Sequence, residues 1–116
     1  MKEFNEGQKE RIEKKVLEEY EKVEHRFPDL RNNIFGKDPY IKTGVYILAA
    51  KWGIGPIPRN FYGRGARKAG LRKPDKFIQA IIDNDLMGAF SQADFINVHG
   101  IRFFCHLLAK VKRRIN

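Results

Sequence analysis

No acidic residue stands between Asp38 and Asp75, while Lys42, Lys51, Arg59, Arg64, Arg67, Lys68, Arg72 and Lys73 all fall in that interval. The densest part, residues 51–76, reads KWGIGPIPRNFYGRGARKAGLRKPDK, with glycines and Trp52, Phe61 and Tyr62 between the charges. Such a segment cannot form the interior of a fold. Unpaired charges are costly to desolvate, and glycine brings no side chain to pack. The core must therefore be assembled from the sequence on either side, with this segment turned to solvent or to a polyanion. Scattered lysines usually mean no more than a solvated loop. An unbroken run of one sign, mixed with arginine, glycine and aromatics, is the pattern by which proteins hold phosphate backbones.

The flanking sequence can supply a core. Hydrophobic residues make up 42% and charged residues 32% of the 116 positions, a balance that suits a folded domain and not a disordered tail. One domain, 1–116, is expected at this length, with 1–37 as an amphipathic helix and connector and 38–116 holding a central helix, the basic loop and a winged-helix core. Charge is unevenly distributed. Residues 1–30 hold nine acids and seven bases, net −2, which leaves +11 for the rest of a +9 chain. Any polyanion surface thus lies beyond residue 30, and the first helix faces water or protein. Cys105 is the lone cysteine, which excludes an internal disulfide and suits a reducing compartment. The absence of an apolar run near ~20 residues and of an apolar signal core predicts a soluble, cytoplasmic protein with no membrane partner.

Hydrophobic periodicity predicts the elements. Ile12, Val16, Tyr20, Val23 and Phe27 recur on one helical face behind a capping box of Asn5 and Gln8, and Pro28 ends that helix. Lys and Glu on its other faces are spaced for mutual pairing. Residues 28–39 read as a connector. A second helix starts at Asp38-Pro39, with Ile41, Val45, Leu48 and Trp52 as its stripe; residues 45–50 are apolar almost all round, which marks a helix buried on several sides and ended by Gly53. A third begins at Pro74-Asp75, with Phe77, Ile78, Ile81 and Ile82 facing inward. Residues 86–90 and 94–96, flanking Ser91-Gln92-Ala93, read as a short hairpin. Asn97 then caps a last helix with the stripe Ile101, Phe104, Leu108 and Val111, closing on Lys110, Lys112, Arg113 and Arg114. The predicted class is mainly α: a helical domain with a winged-helix core and a short β-hairpin wing.

Several chemistries are disfavoured by spacing. His25, His99, His106 and Cys105 show no zinc-type pattern, so no metal is expected. Cys105 falls near the apolar face of the last helix, where a thiol is inert, and the adjacent His106 points elsewhere and cannot serve as its base. Asp83 and Asp85 flank Asn84 as a pair able in principle to hold Mg²⁺, although solvation of the turn before the wing accounts for them more simply. Gly65 to Gly70 has P-loop glycine spacing, but Leu71-Arg72 replaces the required Lys-Ser/Thr; Gly53-Ile54-Gly55 lacks the third glycine of a dinucleotide turn. No catalytic residue, cofactor or small-molecule substrate is expected. The candidate RNA-binding residues are Lys42, Lys51, Arg59, Tyr62, Gly63, Arg64, Arg67, Lys68, Arg72 and Lys73. Arginines fork onto phosphate oxygens, glycines admit close backbone approach, and Tyr62 is placed to stack on an unpaired base, whereas Phe61 is expected to anchor the loop.

The same residues resemble a known family. Phe61-Tyr62-Gly63, followed by Arg64, Arg67, Gly70, Pro74 and Phe77, resembles the Ile-Tyr-Gly-Gly-Arg…Gly…Pro…Phe signature of the nineteenth small-subunit ribosomal protein of archaea and eukaryotes. Gly53-Ile54-Gly55 is similar to the Gly-Val-Gly upstream of that signature, and residues 95–100 to its Leu-Thr-Pro-x-Gly, ahead of Leu107-Leu108-Ala109 in the last helix. The likeness covers roughly residues 40–110. Residues 62–77 are slightly longer than the family's version, and the first 37 lack its Trp-rich connector, as in a divergent, shortened member. The resemblance implies a structural constituent of the small ribosomal subunit that binds its rRNA beside neighbouring ribosomal proteins. It also implies a part in rRNA maturation and translation, in the cytoplasm, with a nucleolar stage in a eukaryotic cell. The competing expectation is a winged-helix DNA-binding regulator, with the helix after Pro74 in the major groove. Its polar residues (Asp75, Lys76, Gln79, Asp83 and Asn84) are poor in base-reading groups. An adaptor whose basic loop docks on acidic protein or anionic membrane is a third.

Overall fold

The computed structural model describes residues 6–32, 34–53, 57–58, 71–72 and 76–112, and these are mainly helical. Helix α1 (Glu6–Val23) is followed by the one-turn α2 (Pro28–Arg31) and by α3 (Asp38–Lys51). A pair of two-residue strands, β1 (Ile57–Pro58) and β2 (Leu71–Arg72), precedes α4 (Lys76–Ile82) and α5 (Leu86–Gln92). A 3-10 turn over Asn97–Gly100 runs directly into α6 (Ile101–Lys110).

The central helix is the one that the apolar run predicts. Tyr40, Ile41, Gly44, Val45, Ile47, Leu48 and Ala49 of α3 are all buried, because α1, α4 and α6 pack around it. On α1 the buried stripe is Ile12, Val16, Tyr20 and Val23, as periodicity requires. Gly44 lets α1 and α6 close on α3. A Cβ at this position would meet Val16 Cγ1 at 2.8 Å and Leu107 Cδ1 at 2.9 Å, too near for branched side chains held in a packed core. Aromatic rings join the helices. Tyr20 meets Phe103 edge-on at 5.2 Å, and Phe77 meets Phe104 edge-on at 5.9 Å. Burying a ring such as Phe103 contributes about 2–3 kcal/mol, and edge-to-face pairing adds roughly 1 kcal/mol more.

Polar contacts fix how α3 enters this core. The buried Tyr40 hydroxyl donates to the Ile96 carbonyl at 3.1 Å, and Thr43 Oγ1 donates to Asn97 Oδ1 at 3.2 Å. Pro39 occupies the first turn, where a missing N–H costs nothing. At the other end the N–H of Gly53 reaches the Ala50 carbonyl at 3.1 Å with φ +70, a left-handed cap that glycine adopts without strain.

Four local expectations change. The hairpin predicted over residues 86–96 is not there: Leu86–Gln92 is α5, packed on α4. The turn before it explains why. Asn84 sits at φ +61, its N–H bonds to the Ile81 carbonyl, and the N–H of Asp85 bonds to the Ala80 carbonyl. That is a Schellman ending for α4. The Asp85 carboxylate then accepts from the Gly88 N–H at 2.9 Å and caps α5. Asp83, the other acid of the pair considered for Mg²⁺, accepts from Gln79 Nε2 at 3.0 Å. Second, Asp94 and not Asn97 caps the last helical stretch, its Oδ1 accepting from the N–H groups of Ile96 at 3.0 Å and Asn97 at 2.6 Å. Third, α6 buries Phe103 and Leu107 as well as Ile101 and Phe104, and leaves Leu108 only half-buried. It lies between α1 and α4 and needs a wider apolar face than a single stripe. Fourth, α1 stops at Val23, and the expected connector begins as α2, which starts at Pro28 and buries Leu30. The capping box at Asn5 lies outside the described residues. Among these residues no helix is long and apolar enough to cross a membrane.

Candidate nucleic-acid interface

The basic segment begins where α3 leaves the core. Lys51 is the last helical residue and exposed, Trp52 is half-buried against the core, and Gly53 turns the chain away. Lys51 also suits the negative end of the helix dipole, a structural role independent of any ligand. Strands β1 and β2 pair antiparallel, Ile57 opposite Arg72 and Pro58 opposite Leu71. This ladder sets Ile57–Pro58 and Leu71–Arg72 side by side. Arg72 stands in that ladder.

Of the candidate residues, Lys42 and Lys51 are described in full and Arg72 through its backbone. Arg59, Tyr62, Gly63, Arg64, Arg67, Lys68 and Lys73, together with Phe61, lie outside the described residues. Lys42 and Lys51 are exposed, but nine residues apart on one helix places them about 13 Å apart along the axis and roughly 180° around it. They do not form one patch. Only Lys51 adjoins the basic segment.

The titratable pair that geometry does bring together was not legible in the sequence. Glu19 on α1 is 4% exposed, and His106 Nε2 on α6 lies 2.9 Å from its Oε1. An ionised carboxylate only accepts, so Nε2 carries the shared proton. Lys15 and Lys22 reach Glu19 Oε2 at 3.3 and 3.2 Å. Burial by itself pushes the Glu19 carboxyl up, but the hydrogen bonds from His106, Lys22 and Lys15 outweigh it and hold it below the usual carboxylate value. The Lys–Glu spacings of α1 announce half of this cluster, while nothing in the sequence pairs Glu19 with a residue 87 positions later. Phe27 meets His106 edge-on at 5.9 Å, and Phe103 stacks on it at 6.5 Å. Glu19 and His106 are packed between α1 and α6, 5% and 12% exposed at their side chains.

Cys105 and His99 are likewise accounted for. Burial raises the pKa of the half-buried Cys105 thiol, which disfavours the reactive thiolate. His99 sits beside Phe35 and Phe95, with centroids 6.3 and 5.9 Å away. No family model, no curated protein and no solved structure matches the chain.

Proposed function

We propose that the protein is a non-enzymatic structural constituent of the small ribosomal subunit that holds rRNA through residues 51–76. The observation that carries this is the acid-free interval between Asp38 and Asp75, with its eight cations; it starts on the buried helix α3, and its strands β1 and β2 pair with each other. Phosphate binding needs many like charges presented from a fixed base. The ladder and α3 supply the base, while Arg59, Arg64, Arg67, Lys68, Arg72 and Lys73 supply the charge. Tyr62 and Gly63 provide a stacking ring and close approach. Residues 53–77 and 95–109 also carry the resemblance to the nineteenth small-subunit ribosomal protein, whose members work on the ribosome and in rRNA maturation. Neighbouring ribosomal proteins are its further partners, and the cytoplasm is its place.

The alternative, a winged-helix DNA-binding regulator, would take α4 as its reading helix, and its wing, expected over residues 86–96, is replaced by α5. Helix α4 is poorly equipped. Phe77, Ile78, Ala80 and Ile81 are buried, leaving Lys76 and Gln79 as exposed polar groups within it. The Gln79 amide is already held by Asp83, and specific base reading needs a free bidentate amide or guanidinium.

Two measurements decide between them. In native lysate separated on a sucrose gradient, the protein is expected to travel with small-subunit particles until high salt strips it; recovery only at the top, or with nuclease-sensitive DNA, overturns the proposal. Replacing Arg64, Arg67 and Arg72 together with glutamate is expected to abolish binding to a structured small-subunit rRNA fragment while the thermal unfolding curve keeps its cooperativity. Unchanged affinity would remove residues 51–76 as the interface.

A further inference from the structure

Residues 77–101 invert the charge of the chain around them. They hold Asp83, Asp85 and Asp94 and not one lysine or arginine, in a protein of net charge +9. Within them, α5 packs on α4 while burying only Ala89 fully. Its larger apolar side chains point away from the core: Leu86 is 46% exposed, Met87 86% and Phe90 56%. Spacings of three and four residues put Leu86 and Met87 beside Phe90 on one helical face. Phe95, just beyond the helix, is 72% exposed. Isolated apolar side chains on a surface are ordinary, but several adjoining on one short helix are characteristic of a docking face.

The acids of residues 77–101 flank this helix along the chain. Asp83 and Asp85 stand at the start of α5 and Asp94 just past its end, all three exposed. We propose that α5 docks an amphipathic helix of a protein partner whose apolar stripe is flanked by lysine or arginine. An apolar centre with a charged rim is the ordinary construction of such an interface, and Met87 is a side chain that adapts to an incoming helix. The sign of the rim selects the occupant. A nucleic-acid backbone and an anionic membrane would both be repelled at this face, and a second copy docked through the same face would set the two acidic rims against each other. The proposal uses no residue of 51–76 and stands whether or not these bind RNA.

The test uses the full chain and two fluorescent helical peptides. Both carry leucines at i, i+3, i+4 and i+7; one has lysine and arginine on the flanks, the other glutamate. By anisotropy the basic peptide is expected to bind at least about tenfold more tightly than the acidic one, although the whole protein is cationic and would attract the acidic peptide if only net charge mattered. Met87→Ser with Phe90→Ser is expected to weaken it by about tenfold or more. Asp83→Lys, which leaves both helix caps intact, is expected to weaken it several-fold. Because Met87 and Phe90 are mostly exposed, the double variant should unfold at an unchanged temperature, which separates lost docking from lost folding. Absence of binding, equal binding of the two peptides, or indifference to the double variant overturns the proposal. So does displacement of the peptide by phosphatidylserine vesicles that require Met87 and Phe90, or a wild-type dimer that the double variant dissolves.

Discussion

Glu19 is the residue at which the fold departs furthest from what an amphipathic helix needs. A carboxylate placed between α1 and α6 costs desolvation, and its partners must offset that cost. His106 Nε2 does so at 2.9 Å from a position only 12% exposed, so this bond is shielded from water. Lys22 is 64% exposed, and its share is screened by solvent. Because the folded carboxyl titrates below its ordinary value of 4.5, the charged form contributes stability that is fully present above that value and is lost as pH falls through the folded pKa. Glu19→Gln keeps an acceptor for His106, removes the charge, and puts an amide NH2 where Oε2 accepts from Lys15 and Lys22. It is expected to lower stability by about 1–2 kcal/mol at pH 7, and the gap from wild type should close as the pH drops below 4.5. Urea unfolding of both proteins over that range checks it; a gap independent of pH would mean that the amide is at fault and not the missing charge.

At the scale of elements, α5 depends on its cap more than on its packing, since it sinks so little apolar surface. Asp85→Ala removes the carboxylate that accepts from Gly88 N–H and is expected to cost about 1 kcal/mol, with Asp85→Ser restoring most of it. Chemical denaturation measures both. A hairpin at this place would be indifferent to the exchange. That α5 is not legible in the sequence has a definite cause. Leu86 to Phe90 is an apolar run of five, too short for period two to be told from period 3.6, and the deciding signals were the Asn84-Asp85 turn and cap. By contrast, α1 and α3 were legible because each repeats its pattern over several turns. Leu30 was hidden because one buried residue makes no period. The α6 stripe was only partly legible, since Phe103 and Leu107 are buried by the neighbours that α6 acquires and not by its own spacing. In the candidate interface, the residue types between Lys51 and Lys73 were legible as a charge pattern. The β1–β2 ladder was not, because Ile57-Pro58 and Leu71-Arg72 are two-residue strands with no alternation to detect.

For the whole molecule the governing fact is the separation of charge along one chain. Residues 1–30 are nearly balanced, the interval after Asp38 is purely cationic up to Asp75, and residues 77–101 are purely anionic among their carboxylates and amines. Attraction to a polyanion must then come from one segment, and the number of phosphates it engages is bounded by its cations. Taking Arg59, Arg64, Arg67, Lys68, Arg72 and Lys73 as one contact each, counterion release gives a log–log slope of affinity against salt between about −4 and −5.5, from single-stranded to duplex geometry. Each arginine exchanged for alanine is expected to reduce the slope by about 0.7–0.9 and to weaken binding to different RNA sequences almost equally. Exchanging Lys42, on the far side of α3, should leave the slope unchanged. Titration of a labelled rRNA fragment at several salt concentrations reads all three. A slope near zero would mean that the cations of residues 51–76 do not meet phosphate. A slope that falls with Lys42 would mean that RNA wraps α3 from both sides and is not held at the β1–β2 end alone.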